Sequence, residues 1–145
     1  MTTTLYVCET CRYDTATRDY EGRAGGAIFL EKIQQHITAT NCTEHCTEHS
    51  TELRVAATRC LMACTRHCTV HLRAPGKINY VIGDFEPSAD SAATLLDYVA
   101  KYQLSETGQV PYSTWPQGIK GHFIARTPPF ENTAPFENAP IEPNF

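Results

Sequence analysis

The chain has 145 residues, a formal net charge of −4, seven cysteines and no basic stripe. This length supports one domain with a core of its own, and the acidic balance argues against nucleic acid as a partner. No apolar run reaches transmembrane length and no signal-peptide core follows Met1, so we expect a cytoplasmic protein that does not bind membranes.

Apolar periodicity predicts secondary-structure elements in the order β-α-β-β-β-α. In chain order they are a strand over residues 4–8, a helix over 23–38, a strand over 51–58, a hairpin over 69–73 and 77–83, and a helix from Ser88 to about residue 104. A strand-helix-strand unit followed by a hairpin and a helix is typical of the thioredoxin-like arrangement. We therefore predict an α/β fold of that type, with a four-stranded mixed sheet and flanking helices.

The C-terminal part of the chain is rich in proline and glycine. From Val110 to Thr127 we expect an ordered, extended segment that packs on the domain, which then spans residues 1–127. Residues 128–145 contain five prolines and the segment Pro-Phe-Glu-Asn twice, at 129–132 and 135–138. This extended tail is predicted to be disordered, because it offers nothing that would pack a core.

Two groups of cysteines lie at the ends of the first two predicted strands. Cys8 and Cys11 form one group, and Cys60, Cys64 and Cys68 recur at four-residue intervals in the other. If the two strands are parallel neighbours, both groups lie at the same carboxyl-end edge of the sheet, where sites tend to form. Because the cytosol keeps thiols reduced, we interpret the cysteines as metal ligands or redox groups rather than as disulfides.

A [2Fe–2S] cluster needs four thiolates, two for each iron. Cys8 with Cys11 and Cys60 with Cys64 supply that set, so we predict these four residues as cluster ligands. Cys68 is a fifth thiol that replaces Cys11 as a ligand, stays in reserve or is simply buried beside the site. No residue stands out as a catalytic group, and we expect an electron carrier or metal-binding protein rather than an enzyme.

The thiols also suit zinc or another divalent transition metal, which takes four thiolates or a mixture of thiolates and imidazoles. The pattern Cys-x-x-His-Cys-x-x-His occurs twice, and one copy spans residues 64–71. The other copy is a secondary candidate site formed by Cys42, His45, Cys46 and His49. On a helix these positions share a face, so the copy at residues 42–49 could chelate a metal without other ligands. We favour the alternative that it is slippage of a short repeat in a polar loop.

A third interpretation is thiol–disulfide exchange. Cys8-x-x-Cys11 after a first strand has the spacing of a thioredoxin-like active site. A reactive thiol is usually activated by a helix N-terminus, however, and the predicted helix begins about ten residues after the pair.

Four separated motifs occur in the order found in a known family. They are Cys8-x-Thr-Cys-Arg, Cys60-Leu-x-Ala-Cys-x-Arg-x-Cys-Thr-Val, Ala74-Pro-Gly-Lys-x-x-Tyr-x-x-Gly-Asp and Ile124-Ala-Arg-x-Pro-Pro. Over roughly residues 4–129 the chain resembles the DUF1636 family. This resemblance implies a bacterial protein of a kind described as predicted metal-binding, with some members encoded near cobalamin-biosynthesis genes. His67 and the repeat at 42–49 depart from the family pattern.

The stretch Cys60-Leu-Met-Ala-Cys64 is also similar to the second cysteine pair of thioredoxin-like [2Fe–2S] ferredoxins and of the small cluster-bearing subunit of the NADH-dehydrogenase type. This resemblance implies cluster ligands at Cys8, Cys11, Cys60 and Cys64. We therefore expect a ferredoxin that passes single electrons to a redox partner protein. The sequence leaves its oligomeric state open, with a homodimer as the candidate assembly. The alternative is a zinc- or cobalt-binding protein of structural or delivery type, linked to cobalamin biosynthesis, and the third is a thiol–disulfide oxidoreductase.

Overall fold

The computed structural model describes residues 2–14, 16–40 and 52–129. The Cys/His repeat at 42–49 and the tail from residue 130 onward lie outside these ranges, so the predictions made for them stay predictions. The strands are β1 (Thr3–Cys8), β2 (Asp19–Tyr20), β3 (Arg23–Ala24), β4 (Leu53–Thr58), β5 (Val70–Arg73), β6 (Asn79–Ile82) and β7 (Phe123–Thr127). The helices are α1 (Gly25–Thr40) and α2 (Ala89–Leu104), and short 3₁₀ turns lie at Tyr112–Thr114 and Gln117–Ile119. None of the helices in these ranges is long and apolar enough to span a bilayer.

A five-stranded mixed sheet forms the centre of the domain, in the order β4-β1-β5-β6-β7. β1 and β4 run parallel, and the other neighbouring strands are antiparallel. The predicted α/β class is confirmed, although the sheet has one strand more than the four predicted. The additional strand is β7, which lies in the segment predicted to be extended and pairs with β6. β2 and β3 form a separate two-stranded ribbon just before α1.

Both helices share a single core with one face of the sheet. The residues that face this core follow a period of two in the strands and of three to four in the helices. The fully buried ones include Leu5, Val7, Phe29, Ile33, Val70, Leu72, Leu95 and Tyr102. Each such side chain contributes roughly 1.5–3 kcal/mol through removal of apolar surface from water. On the opposite face of the sheet, Tyr6 and His71 are only half-buried, and their rings stack with centroids 6.3 Å apart.

The end of α2 is fixed by a buried lysine from the β5–β6 hairpin. Lys77 is 4% exposed, and its Nζ donates hydrogen bonds to the carbonyls of Tyr102 (3.1 Å) and Gln103 (2.9 Å). The carbonyls in the last turn of a helix have no partner within the helix, and a cation at this end is favoured by the helix dipole. The predicted start of α2 is also confirmed, since the Ser88 side chain accepts a hydrogen bond from the Ser91 amide.

Candidate metal centre

The two cysteine loops start from neighbouring parallel strands, which is the condition under which the sequence places both loops at one edge of the sheet. Cys8, the last residue of β1, lies opposite Thr58, the last residue of β4. The Glu9 amide donates a hydrogen bond to the Thr58 carbonyl over 2.9 Å, and the Thr10 hydroxyl donates one to the Arg59 carbonyl. These bonds connect the β1–β2 loop to the β4–β5 loop at the carboxyl end of the strand pair.

Three of the cysteines form a buried cluster at this end of the sheet. Cys8 and Cys11 are each 2% exposed, and Cys68 is fully buried. Burial and the neighbouring Cys8 raise the pKa of the Cys11 thiol to about 11, although a hydrogen bond from the Thr69 amide opposes the shift. Burial, and then the proximity of Cys11 and Cys8, raises the pKa of the Cys68 thiol to about 12. Cys11 and Cys68 are therefore neutral at pH 7 in the metal-free protein, and ionising either one places negative charge beside the other thiols.

The buried sulfur atoms form hydrogen bonds to the main chain. The Thr69 amide donates to Cys11 Sγ over 3.4 Å, which favours the thiolate of Cys11. Cys68 Sγ donates to the Arg12 carbonyl over 3.7 Å, and this bond favours the thiol. Cys11 is therefore the better prepared of these two residues to carry the negative charge of a metal ligand.

Cys60 and Cys64 are exposed, on the solvent side of the same edge. The Met62 amide donates a hydrogen bond to Cys60 Sγ over 3.2 Å. Met62 has a φ of 58°, in the left-handed region, and its side chain is 89% exposed. The structure thus places two of the predicted ligands inside the domain and two on its surface. Cys68, predicted as a fifth or alternative ligand, lies with the inner pair.

The second half of the β4–β5 loop is held in place by the loop that follows β6. The Arg66 guanidinium forms an ion pair with Asp84, and the Thr69 hydroxyl donates a hydrogen bond to the Arg66 carbonyl. The His67 Nδ1 lies 3.0 Å from the Phe85 carbonyl. Cys68 has a φ of 53°, so a left-handed residue turns the chain inward at the point where β5 begins. These contacts explain why Cys68 is buried although it follows two exposed cysteines at the same spacing.

The first turn of α1 packs directly against the loop that carries Cys8 and Cys11. The Gly26 amide donates a hydrogen bond to the Cys11 carbonyl over 3.0 Å. A Cβ atom on Gly26 would lie 1.8 Å from the Cys8 carbonyl oxygen, and one on Gly25 would lie 2.3 Å from the Cα of Tyr13. Only glycine allows this approach. The start of the predicted helix lies about ten residues beyond the cysteines in sequence, but the fold brings the N-terminus of α1 next to their loop.

A protein-family model with the description "Protein of unknown function (DUF1636)" matches residues 5–129. The chain belongs to the DUF1636 family. This confirms the resemblance predicted from the four motifs. The DUF1636 match includes both cysteine loops and ends two residues after β7. No curated protein and no solved structure matches the chain significantly.

The donor set of this DUF1636 protein fits a thiophilic metal. Five thiols lie on two connected loops, and main-chain amides donate to the sulfurs of Cys11 and Cys60. Thiolates are the usual ligands of iron–sulfur clusters and of structural zinc. Within residues 2–14, 16–40 and 52–129, however, no three Cys, His, Asp or Glu side chains are already arranged to hold a metal ion. A metal at this site therefore requires side chains to move, and a metal held by Cys8 and Cys11 together with Cys60 and Cys64 requires the exposed Cys60–Cys64 stretch to approach the buried cysteines.

Proposed function

We propose that this DUF1636 protein binds a metal through its cysteines, and that the metal is a [2Fe–2S] cluster held by Cys8, Cys11, Cys60 and Cys64. The protein would then transfer single electrons to a redox partner protein in the cytoplasm, as a thioredoxin-like ferredoxin. The observation that carries the proposal is the meeting of the two cysteine loops at the carboxyl end of the parallel pair β1 and β4.

The strand order supports the thioredoxin-like part of the proposal. β4, which follows β1 in the chain as the next strand of the central sheet, pairs with β1 in parallel. The hairpin β5–β6 lies on the other side of β1, and β5 pairs with β1 in the antiparallel direction. Both helices lie in the core with the same face of the sheet. This is the arrangement expected for a strand-helix-strand unit joined to a hairpin and a helix.

The distribution of the thiols suits a cluster that transfers electrons. Two ligands would come from the buried side and two from the exposed side, so the cluster would lie at the surface within reach of a partner. Four thiolates give a [2Fe–2S] cluster a negative charge, and hydrogen bonds to the sulfurs tune its potential. The amides of Thr69 and Met62 already point at Cys11 and Cys60, where they would supply such bonds.

A second candidate is a single zinc or other divalent metal ion bound by Cys8, Cys11 and Cys68 with one further ligand. It is favoured by the mutual proximity of these three thiols in the metal-free protein. Divalent-metal binding would make the protein a structural, storage or delivery protein.

The first experiment is to purify the full chain without oxygen and to measure its iron, sulfide, zinc and cobalt content, its visible spectrum, and its EPR signal after dithionite. We expect near-equal iron and sulfide, a brown colour, and a signal only in the reduced state. Colourless protein that holds zinc and takes up no cluster on anaerobic reconstitution would overturn the cluster proposal.

The cysteines provide matched variants that separate the two candidates. For the cluster, the double variant Cys60→Ser and Cys64→Ser abolishes iron binding, whereas Cys68→Ser retains it. For the single ion, Cys68→Ser loses the metal and the double variant retains it. Full retention of metal in both proteins would contradict both ligand sets.

A further inference from the structure

An aromatic groove lies beside β7, the edge strand farthest from β4. It has a volume of about 460 Å³, and its lining includes Tyr80, Tyr112, Trp115, Phe123, Ile124 and Arg126. The rings of Trp115 and Phe123 lie 4.6 Å apart, and those of Tyr112 and Trp115 lie 5.0 Å apart. The indole nitrogen of Trp115 donates to the Val110 carbonyl over 2.8 Å, so its polar atom is satisfied within the domain. The groove therefore offers mainly ring surface to a ligand.

The groove has a positively charged rim in a protein that is negatively charged overall. Arg126 lines it, and Lys120 Nζ lies 4.6 Å from the centre of the Tyr112 ring. An aromatic-lined groove of this kind suits extended, proline-containing peptides, which bind with little loss of conformational entropy. The rim adds a preference for carboxylates next to the apolar side chains.

The chain itself contains a segment with these properties. Residues 130–145 follow the described domain and contain three phenylalanines, three glutamates and no Lys, Arg or His. The two Pro-Phe-Glu-Asn copies, 129–132 and 135–138, each combine proline, an aromatic ring and a carboxylate. The family match ends at residue 129, so most of the repeat region is an addition to the part that the family model describes.

The position of the segment also allows it to reach the groove. β7 forms part of the groove and ends at Thr127, two residues before the repeats begin. The ten residues 129–138 reach roughly 33 Å when extended, whereas a five-residue strand such as β7 is roughly 17 Å long. The segment is therefore long enough to turn back and run along β7 of its own chain.

We propose that the groove is a peptide-binding site whose ligand is the chain's own Pro-Phe-Glu-Asn repeat segment, residues 129–138. The phenylalanines fill the groove between the rings of Tyr112, Trp115 and Phe123, and the glutamates pair with Arg126 and Lys120. This site is independent of the cysteines, so it stands or falls separately from metal binding.

Trp115 makes the proposal directly measurable, because it is the only tryptophan in the chain. In the full-length protein, the double variant Phe130→Ala and Phe136→Ala uncovers the indole. Its emission shifts to longer wavelength and acrylamide quenches it more strongly than in the wild type. Phe145→Ala is the matched control, since it removes the same side chain from the tail but outside the repeats, and it leaves both readouts unchanged. Identical emission and quenching in the wild type and the double variant would overturn the proposal.

A synthetic peptide of residues 129–138 then tests the groove itself. Added to the double variant, it restores the wild-type emission with a saturable dependence on peptide concentration, and a peptide with both phenylalanines replaced by alanine does not. Absence of saturable binding contradicts the site. The wild-type emission should not depend on protein concentration. A concentration-dependent emission, with a dimer in light scattering, would instead show that the segment of a second copy binds and would refute the assignment to the same chain.

Discussion

Replacing Gly26 by alanine tests the contact between α1 and the cysteine loop. In most helices a Gly→Ala change stabilises the protein, by up to about 1 kcal/mol in the helix interior. Here the new Cβ would lie 1.8 Å from the Cys8 carbonyl oxygen, so helix and loop must separate by roughly 1 Å or more. Overpacking of this kind costs about 1–3 kcal/mol, and weakening the bond from the Gly26 amide to Cys11 adds about 1 kcal/mol. We therefore expect the substitution to lower the free energy of unfolding by about 2–4 kcal/mol and to reduce metal uptake.

Urea denaturation followed by circular dichroism measures the loss, and anaerobic reconstitution measures the metal uptake. Gly76→Ala is the control: Gly76 has a φ of 72°, but nothing lies within 4 Å of its added Cβ. We expect the free energy of unfolding of this variant to fall only by the cost of placing alanine in the left-handed region, about 1–2 kcal/mol, and its metal uptake to equal that of the wild type. The reasoning is wrong if the Gly26→Ala protein is as stable as the wild type, or if it binds as much metal.

Three further predictions concern other parts of the domain. Lys77→Met keeps the volume of the side chain but removes the donor to the last carbonyls of α2. We expect urea denaturation to show a free energy of unfolding lower by about 2–3 kcal/mol. The control Lys101→Met removes only a surface ion pair with Asp97 and should lower the free energy of unfolding by no more than about 0.5 kcal/mol. Asp84→Asn retains a residue type that tolerates the left-handed region but removes the ion pair with Arg66, so its stability should fall by less than about 1 kcal/mol, and high salt should abolish the difference. Burial in the folded protein raises the pKa of Cys11 and Cys68 above the ordinary value of 9.0, to about 11 and about 12, so folding favours the neutral thiols. Their contribution to stability is complete well below pH 9 and is lost as the pH rises from about 9 toward about 12, by at most about 1.4 kcal/mol per pH unit for each thiol. Denaturation of the metal-free protein between pH 9 and 10 measures the combined slope of thiols and buried tyrosines, and the difference between the wild type and Cys68→Ala isolates the thiol part. Cys68→Ala should reduce the slope, and an unchanged slope in that variant would contradict the assignment.

The sequence predicted those parts of the fold that depend on local patterns. Apolar spacing predicted the buried face of α2 and the strands that carry the two cysteine groups, and the serine at position 88 predicted the N-cap of α2. The edge shared by Cys8 and Cys60 followed from one further assumption, that the first two predicted strands are parallel neighbours. β7 was not predicted as a strand, because its surroundings are rich in proline and glycine and its pairing with β6 is not a local property.

The arrangement of the thiols was less predictable than the fold. Cys60, Cys64 and Cys68 have equal spacing, which suggests equivalent positions, yet Cys68 is buried and the other two are exposed. The difference arises from the left-handed φ of Cys68 and from the anchoring of Arg66 by Asp84, and both depend on residues far away in the sequence. Gly25 and Gly26 at the start of α1 were the one local sequence signal of the contact between this helix and the cysteine loop, because glycine is used where two backbone segments approach closely.

The separation between core and cysteines bears on what a bound metal does for this protein. The largest fully buried side chains, such as Phe29, Tyr98 and Tyr102, lie between the helices and the sheet. Of the five described cysteines, only Cys68 belongs to that core, and it does so as a neutral thiol. Zinc fingers, by contrast, fold only when the metal is bound, because their core is too small without it. A domain with this core has no such need, so the proposed metal would contribute to function rather than to folding, and its binding would act mainly on the exposed loop between Cys60 and Cys64.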